Sequence, residues 1–158
     1  MSVIAHSPNG SAIFCDDVRQ EMNGKQILIG IYTTEMIIHP SFPAALPTFA
    51  VVVRYTERRS ENYLPVTFKI FVPGQDDAAF EAEVSKEQLE AVPYSEDEEP
   101  DPQVLIGFAA QFRNFVIPEP GYIKVRAYRG DDEIKIGSMR IRLSDHPLDP
   151  TGVASPPL

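Results

Sequence analysis

The sequence predicts an all-β domain, an antiparallel β-sandwich of about 8-9 strands with at most one short helix. Three observations carry that expectation. Apolar residues alternate with polar ones over several short runs, the mark of half-buried strands. Fifteen prolines in 158 residues are about twice the ordinary share, and proline is poorly tolerated inside helices and central strands. Turn signals recur at short spacing with no β-α-β alternation, as in a sandwich of immunoglobulin-like or C2-like order and unlike a doubly wound sheet.

The first element is a hairpin. Runs 13–22 and 26–32 flank Asn23-Gly24, two residues that accept the positive φ of a type I′ turn. Ile27 to Tyr32 is apolar on both faces, which reads as a central strand covered on both sides; Gly30 within it fits a bulge or a close backbone contact. A short strand over 35–39 precedes an irregular connection through Pro40, Pro43 and Pro47. In 48–56, Phe49, Val51, Val53 and Tyr55 share one face. Val66, Phe68, Ile70 and Val72 do so in the next strand, and Phe80, Ala82 and Val84 in the one after it. Ser85 and Gln88 fit a capping box for one short helix. Val104, Ile106, Phe108, Ala110 and Phe112 form another inward set before Pro118-Glu119-Pro120-Gly121. The last hairpin joins 122–129 to 133–143. Its inward parity changes between Ile136 and Met139, which requires an extra residue and marks Gly137 as a bulge.

The expected organisation is a flexible segment over 1–10, a sandwich over 11–143 and a proline-rich tail over 144–158. The acidic block Glu96 to Asp101 reads as a solvated loop. The chain is long enough to bury roughly two-thirds of its unfolded surface, so no metal or disulfide is needed to hold a core. Cys15 is the only cysteine, which favours a reducing, cytoplasmic setting. The start of the sequence lacks the pattern of a signal peptide, and no apolar run approaches the roughly 20 residues of a membrane span. A net charge of −9 disfavours nucleic acid and anionic membranes.

The run Ile13-Phe14-Cys15-Asp16-Asp17-Val18-Arg19, followed by Asn23-Gly24-Lys25 and Leu28-Ile29-Gly30-Ile31-Tyr32, resembles the opening of a bacterial family of uncharacterised proteins. Leu46-Pro47 before a Val-rich strand and Ile136-Gly137-Ser138 in the last hairpin are similar too. The resemblance implies a β-sandwich over most of the chain up to Leu143. It implies no activity, cofactor or binding residue.

Two constellations bear on function. Asp16 and Asp17 interrupt an apolar strand. With Glu35 they are candidate carboxylates of a hydrolase-type site, although neighbouring strand residues share a site only where the strand is bulged. The competing reading is structural, with Asp16 or Asp17 bonded to a neighbouring loop or to Arg19. In the last hairpin, Tyr122, Lys124, Arg126 and Tyr128 share the outer face, and Arg140 and Arg142 join them beyond the bulge. Such a basic, aromatic-edged patch suits single-stranded nucleic acid or, better in view of the net charge, an acidic protein segment; the competing and favoured reading is a solvated face paired to Glu81 and Glu83. Calcium is a further possibility through Asp76-Asp77, Asp131-Asp132 and the acidic block, since calcium takes six to eight oxygens from converging loops. His6, His39 and His146 are far apart and make no zinc pattern with one cysteine. No cofactor motif is present. The favoured expectation is a non-catalytic interaction module with a protein partner or a homo-oligomeric state.

Overall fold

Alternation and turn chemistry produce ten strands, one 3-10 turn and one short helix in a computed structural model, which describes residues 7–93 and 102–146. The strands are β1 (Asn9–Cys15), β2 (Asp17–Gln20), β3 (Gln26–Ile29), β4 (Glu35–Ile38), β5 (Ala44–Arg58), β6 (Val66–Phe71), β7 (Phe80–Val84), β8 (Gln103–Ile117), β9 (Gly121–Arg129) and β10 (Asp132–Leu143). Helix α1 (Lys86–Glu90) begins with the expected capping box: Gln88 N–H donates to Ser85 Oγ, and Ser85 N–H donates to Gln88 Oε1. The sheet orders are β1-β5-β8, β4-β10-β9-β6-β7, and a separate ribbon β2-β3. Every pairing is antiparallel except that of β10 with β4.

The core lies between the two larger sheets. Phe49, Val51, Val53 and Tyr55 of β5 face Val66, Phe68 and Ile70 of β6 and Ile123, Val125 and Ala127 of β9, all essentially without exposure. Phe49 stacks on Phe115 at 4.7 Å between ring centroids, and Phe68 meets Tyr55 edge-on at 5.4 Å, arrangements that suit the ring quadrupoles. On β8 the inward parity changes, with Val104 and Ala110 buried on one side of Asn114 and Phe115 and Ile117 on the other. Asn114 absorbs the change with φ 51. The Gly137 bulge is where the pattern placed it: Lys135 pairs with Arg126 and Gly137 with Val125, leaving Ile136 as the extra residue.

Four expectations are corrected. The opening run is not one strand: it breaks at Asp16, so that β1 joins β5 while β2 folds back on β3. Ile27 to Tyr32 is not a central strand. The β2-β3 ribbon lies over the outer face of the three-stranded sheet, where Val18 and Leu28 cover Ala50, Val52 and Ala109, and Ile27, Ile29 and Ile31 stay exposed. Alternation cannot tell a strand covered twice from one covered once whose other face is also apolar. β5 starts at Ala44 and runs through Pro47, so the irregular connection is shorter than the prolines suggested. β1 already includes Asn9 and Gly10. The acidic block from Glu96 and the tail beyond His146 lie outside the described residues.

Candidate interaction surface

The outer face of the five-stranded sheet is set by strand parity. On β9 the inward residues Ile123, Val125 and Ala127 force Tyr122, Lys124, Arg126 and Tyr128 outward. Cross-strand register then places Arg140 beside Tyr122 and Lys69 beside Arg126, while Arg140 also faces Glu35 on β4. All six predicted residues of the patch, with Arg142 next to Ile37 of β4, therefore share one face.

The face is less uniformly basic than the sequence suggested. Arg126 Nε lies 3.2 Å from Glu133 Oε1, its Nη1 donates to the carbonyls of Val125 and Gly137, and its side chain is only 12% exposed. It acts as a bracket over the bulge. Arg142 Nε donates to both Glu35 carboxylate oxygens at 3.0 Å and its Nη1 reaches Asp145 at 3.3 Å. Lys69 pairs with Glu81 at 3.5 Å and sits 5.6 Å from the centroid of the Tyr128 ring. Lys124 and Arg140 are exposed and have no ion-pair partner among the described residues. Tyr122 is exposed beside them.

A hollow of about 590 Å3 opens on this face, between β9, the start of the β6–β7 loop and the turn before Gly121. Two glycines allow its wall to close. Gly74, at φ +78, lies against the Glu119 side chain, and Gly121, at φ +150, lies against Pro73. A side chain at either position would be both strained and crowded. Tyr122, Lys124, Arg126 and Tyr128 all line the hollow, and so do Glu119 and Glu133. Pro118 and Gly121 carried a turn signal in the sequence. The meeting of that turn with Pro73 and Gly74 did not follow from spacing.

The carboxylates are distributed differently. Because the chain breaks at Asp16, Asp16 and Asp17 do line one hollow of about 330 Å3, with Thr48, Gln111, Phe112 and Arg113. Asp16 accepts a hydrogen bond from Tyr32 Oη at 2.7 Å. Asp17 accepts from Val18 N–H at 2.9 Å and lies 3.7 Å from Arg19. Glu35 is on β4 in the other sheet, held by Arg142, and is not part of that hollow. Cys15 is fully buried against Val18, Ala50 and Val52, and burial, with the nearby Asp16 charge, raises its thiol pKa. That disfavours the thiolate, which is the nucleophilic form.

The calcium loops diverge. Asp76-Asp77 follows the Phe71 end of β6, whereas the turn at Asp131-Asp132 follows Arg129, which pairs with Val66 at the opposite end. These two pairs cannot bind one ion. No group of three or more His, Cys, Asp or Glu able to hold a metal occurs among the described residues.

Sequence reasoning missed one polar feature. Glu57, 3% exposed, receives Arg129 Nε at 2.7 Å across the two sheets. The signal was present: Glu57 continues the inward parity of β5, and Arg129 that of β9.

These features define a two-sheet, all-β sandwich protein with a charged, concave sheet face. The chain belongs to DUF6941, a family of unknown function whose model matches residues 10–142. No curated protein and no solved structure matches it.

Proposed function

We propose that this protein is a non-catalytic interaction module that seats an acidic segment of a partner protein across the outer face of the five-stranded sheet, from the hollow lined by Tyr122 and Lys124 to the neighbouring Arg140. The observation that carries the reading is the placing of two cations with no ion-pair partner among the described residues, Lys124 and Arg140, beside the exposed ring of Tyr122. Tyrosine offers a large contact area at low entropic cost, and free cations steer and select an acidic ligand. A nucleic acid suits the molecule less, because a net charge of −9 opposes a polyanion over most of the surface. The strand orders also support an immunoglobulin-like arrangement: β5 pairs with β8 in one sheet, and β10-β9-β6-β7 run side by side in the other. A fully buried lone cysteine supports a cytoplasmic setting. Among the described residues no helix is long and apolar enough to cross a membrane.

Fluorescence anisotropy tests the reading with a labelled Glu/Asp-rich peptide containing tyrosine and, in parallel, a labelled single-stranded oligonucleotide. The peptide is expected to bind, to weaken as salt screens the cations, and to be lost in Lys124→Glu/Arg140→Glu. No peptide binding, equal binding by the charge-reversed protein, or stronger binding of the oligonucleotide would overturn it.

A further inference from the structure

The hollow on the five-stranded sheet carries both signs of charge. Lys124, Arg126, Glu119 and Glu133 all line it. Arg126 and Glu133 are spent on each other, with Nε 3.2 Å from Oε1. Lys124 and Glu119 have no ion-pair partner among the described residues, so one uncommitted charge of each sign remains. The free charges stand on opposite sides of Tyr122. Arg140 pairs with Tyr122 from the β10 side of β9. Glu119 lies on the β6 side, because its Cγ and Cδ come within 3.0 Å of where a Cβ on Gly74 would be, in the loop after β6. The bare backbone of Gly74 lets that side chain lie along the loop. Between these charges the Tyr122 ring is 51% exposed. The other tyrosine of the hollow, Tyr128, already has Lys69 Nζ 5.6 Å from its centroid; Tyr122 has no such cation among the described residues.

We infer that the partner segment is bipolar: its acidic residues lie on Lys124 and Arg140, and an arginine lies over the Tyr122 ring with its guanidinium on the Glu119 carboxylate. A segment that is acidic throughout fits the hollow badly, because it meets a carboxylate whose charge nothing in the chain offsets. Arginine suits the place better than lysine. Its planar fork matches a carboxylate and stacks on an aromatic face, whereas lysine offers a point charge. The two signs also set the direction of the segment, since a reversed segment would bring each charge onto a like one. This bipolar mode presupposes the peptide site proposed above and differs from it in one requirement, a basic residue on one side of the acidic run.

Fluorescence anisotropy on the full chain tests it with a set of labelled peptides. The parent holds an acidic run with one tyrosine, flanked on both sides by serines, and each other member replaces one serine with arginine. Arginine at a position on one side of the run is expected to tighten binding about two- to fivefold, and arginine on the other side is not. Glu119→Gln, in an exposed turn, is expected to abolish that gain and to bind the parent at least as tightly as the wild-type chain does. Glu119→Arg is expected to reverse the preference, so that glutamate at the same peptide position binds better than arginine. Parent binding that no arginine improves would overturn the bipolar mode and leave the acidic-segment reading standing. So would an equal gain from arginine on both sides, or a gain that persists in Glu119→Gln, since either marks a general relief of charge repulsion. If neither the parent nor any arginine peptide binds, both readings fall together.

Discussion

Glu57 and Arg129 are the residues on which the packing of the two sheets is most exposed to error. Their ion pair, at 2.7 Å, lies where Glu57 is almost fully buried and the Arg129 side chain is 23% exposed. Burying two charges costs about as much as their attraction returns, but removing one partner leaves the other stranded, at about 3–5 kcal/mol. Arg129→Ala is therefore expected to lower unfolding stability by that order, and Arg129→Ala/Glu57→Leu to recover much of it; urea titration of the three proteins measures both. Tyr55 adds a complementary case. Its hydroxyl is buried beside Glu57, near enough for the carboxylate's charge and hydrogen bonding to raise the phenol pKa, yet neither the hydroxyl nor Glu57 Oε1 makes a hydrogen bond of ordinary geometry among the described residues. An unmade buried hydrogen bond costs about 1–3 kcal/mol. Tyr55→Phe is thus expected to be neutral or stabilising at pH 7, and a loss above about 1 kcal/mol would mean that Glu57 or a buried water satisfies the group.

At the scale of elements, strands whose two faces differ were legible and strands whose two faces are alike were not. The inward sets of β5, β6 and β9 followed from period-2 alternation because only one face of each can enter the core. The Gly137 bulge was legible for the same reason, since a change of parity within one strand requires an added residue. What the pattern could not supply is why glycine stands there. A Cβ on Gly137 would lie 2.9 Å from Ala12 Cβ, where β1 passes close to β10. Gly137→Ala is expected to destabilise the fold by about 1–3 kcal/mol, with partial rescue by Ala12→Gly despite the intrinsic cost of that glycine. Thermal unfolding of the two single variants and the double variant checks this, and additive losses would show that the two sites do not meet. β3 is the contrary case: its residues are apolar on both faces, and only the placement of the ribbon outside the sandwich showed that one face is open.

For the whole molecule, pH dependence gathers several buried groups into one observable. Cys15, Tyr32 and Tyr55 each have a raised pKa, from ordinary values of 9.0 for the thiol and 10.0 for the phenols, with burial as the largest cause in each. The hydrogen bond from Tyr32 to Asp16 adds to it there. All three are neutral when protonated, so the folded state holds their protons more tightly than the unfolded state. Their stabilisation is complete below the unfolded values and falls as pH rises beyond them. Denaturant midpoints are expected to be flat from neutrality to about pH 8 and to fall progressively above about pH 9, first through the thiol and then through the phenols, with a shallower fall in Tyr55→Phe. The same global view separates the surfaces. The hollow on the five-stranded sheet and the one lined by Asp16 and Asp17 belong to different sheets, and Asp76-Asp77 and Asp131-Asp132 sit at opposite ends of β6.

By itself the sequence determined the all-β class, the inward face of most strands, the Asn23-Gly24 turn with φ 75 and 74, the cap of α1 and the position of the bulge. Each of these is fixed by residues within a few positions of one another, through side-chain period, backbone freedom or a local hydrogen bond. Only the tertiary structure decided the parallel pairing of β4 with β10, the ribbon over the three-stranded sheet, the Glu57–Arg129 pair and the hollow beneath Lys124. All of these join segments distant in the chain, and alternation states which way a side chain points without stating what stands opposite it.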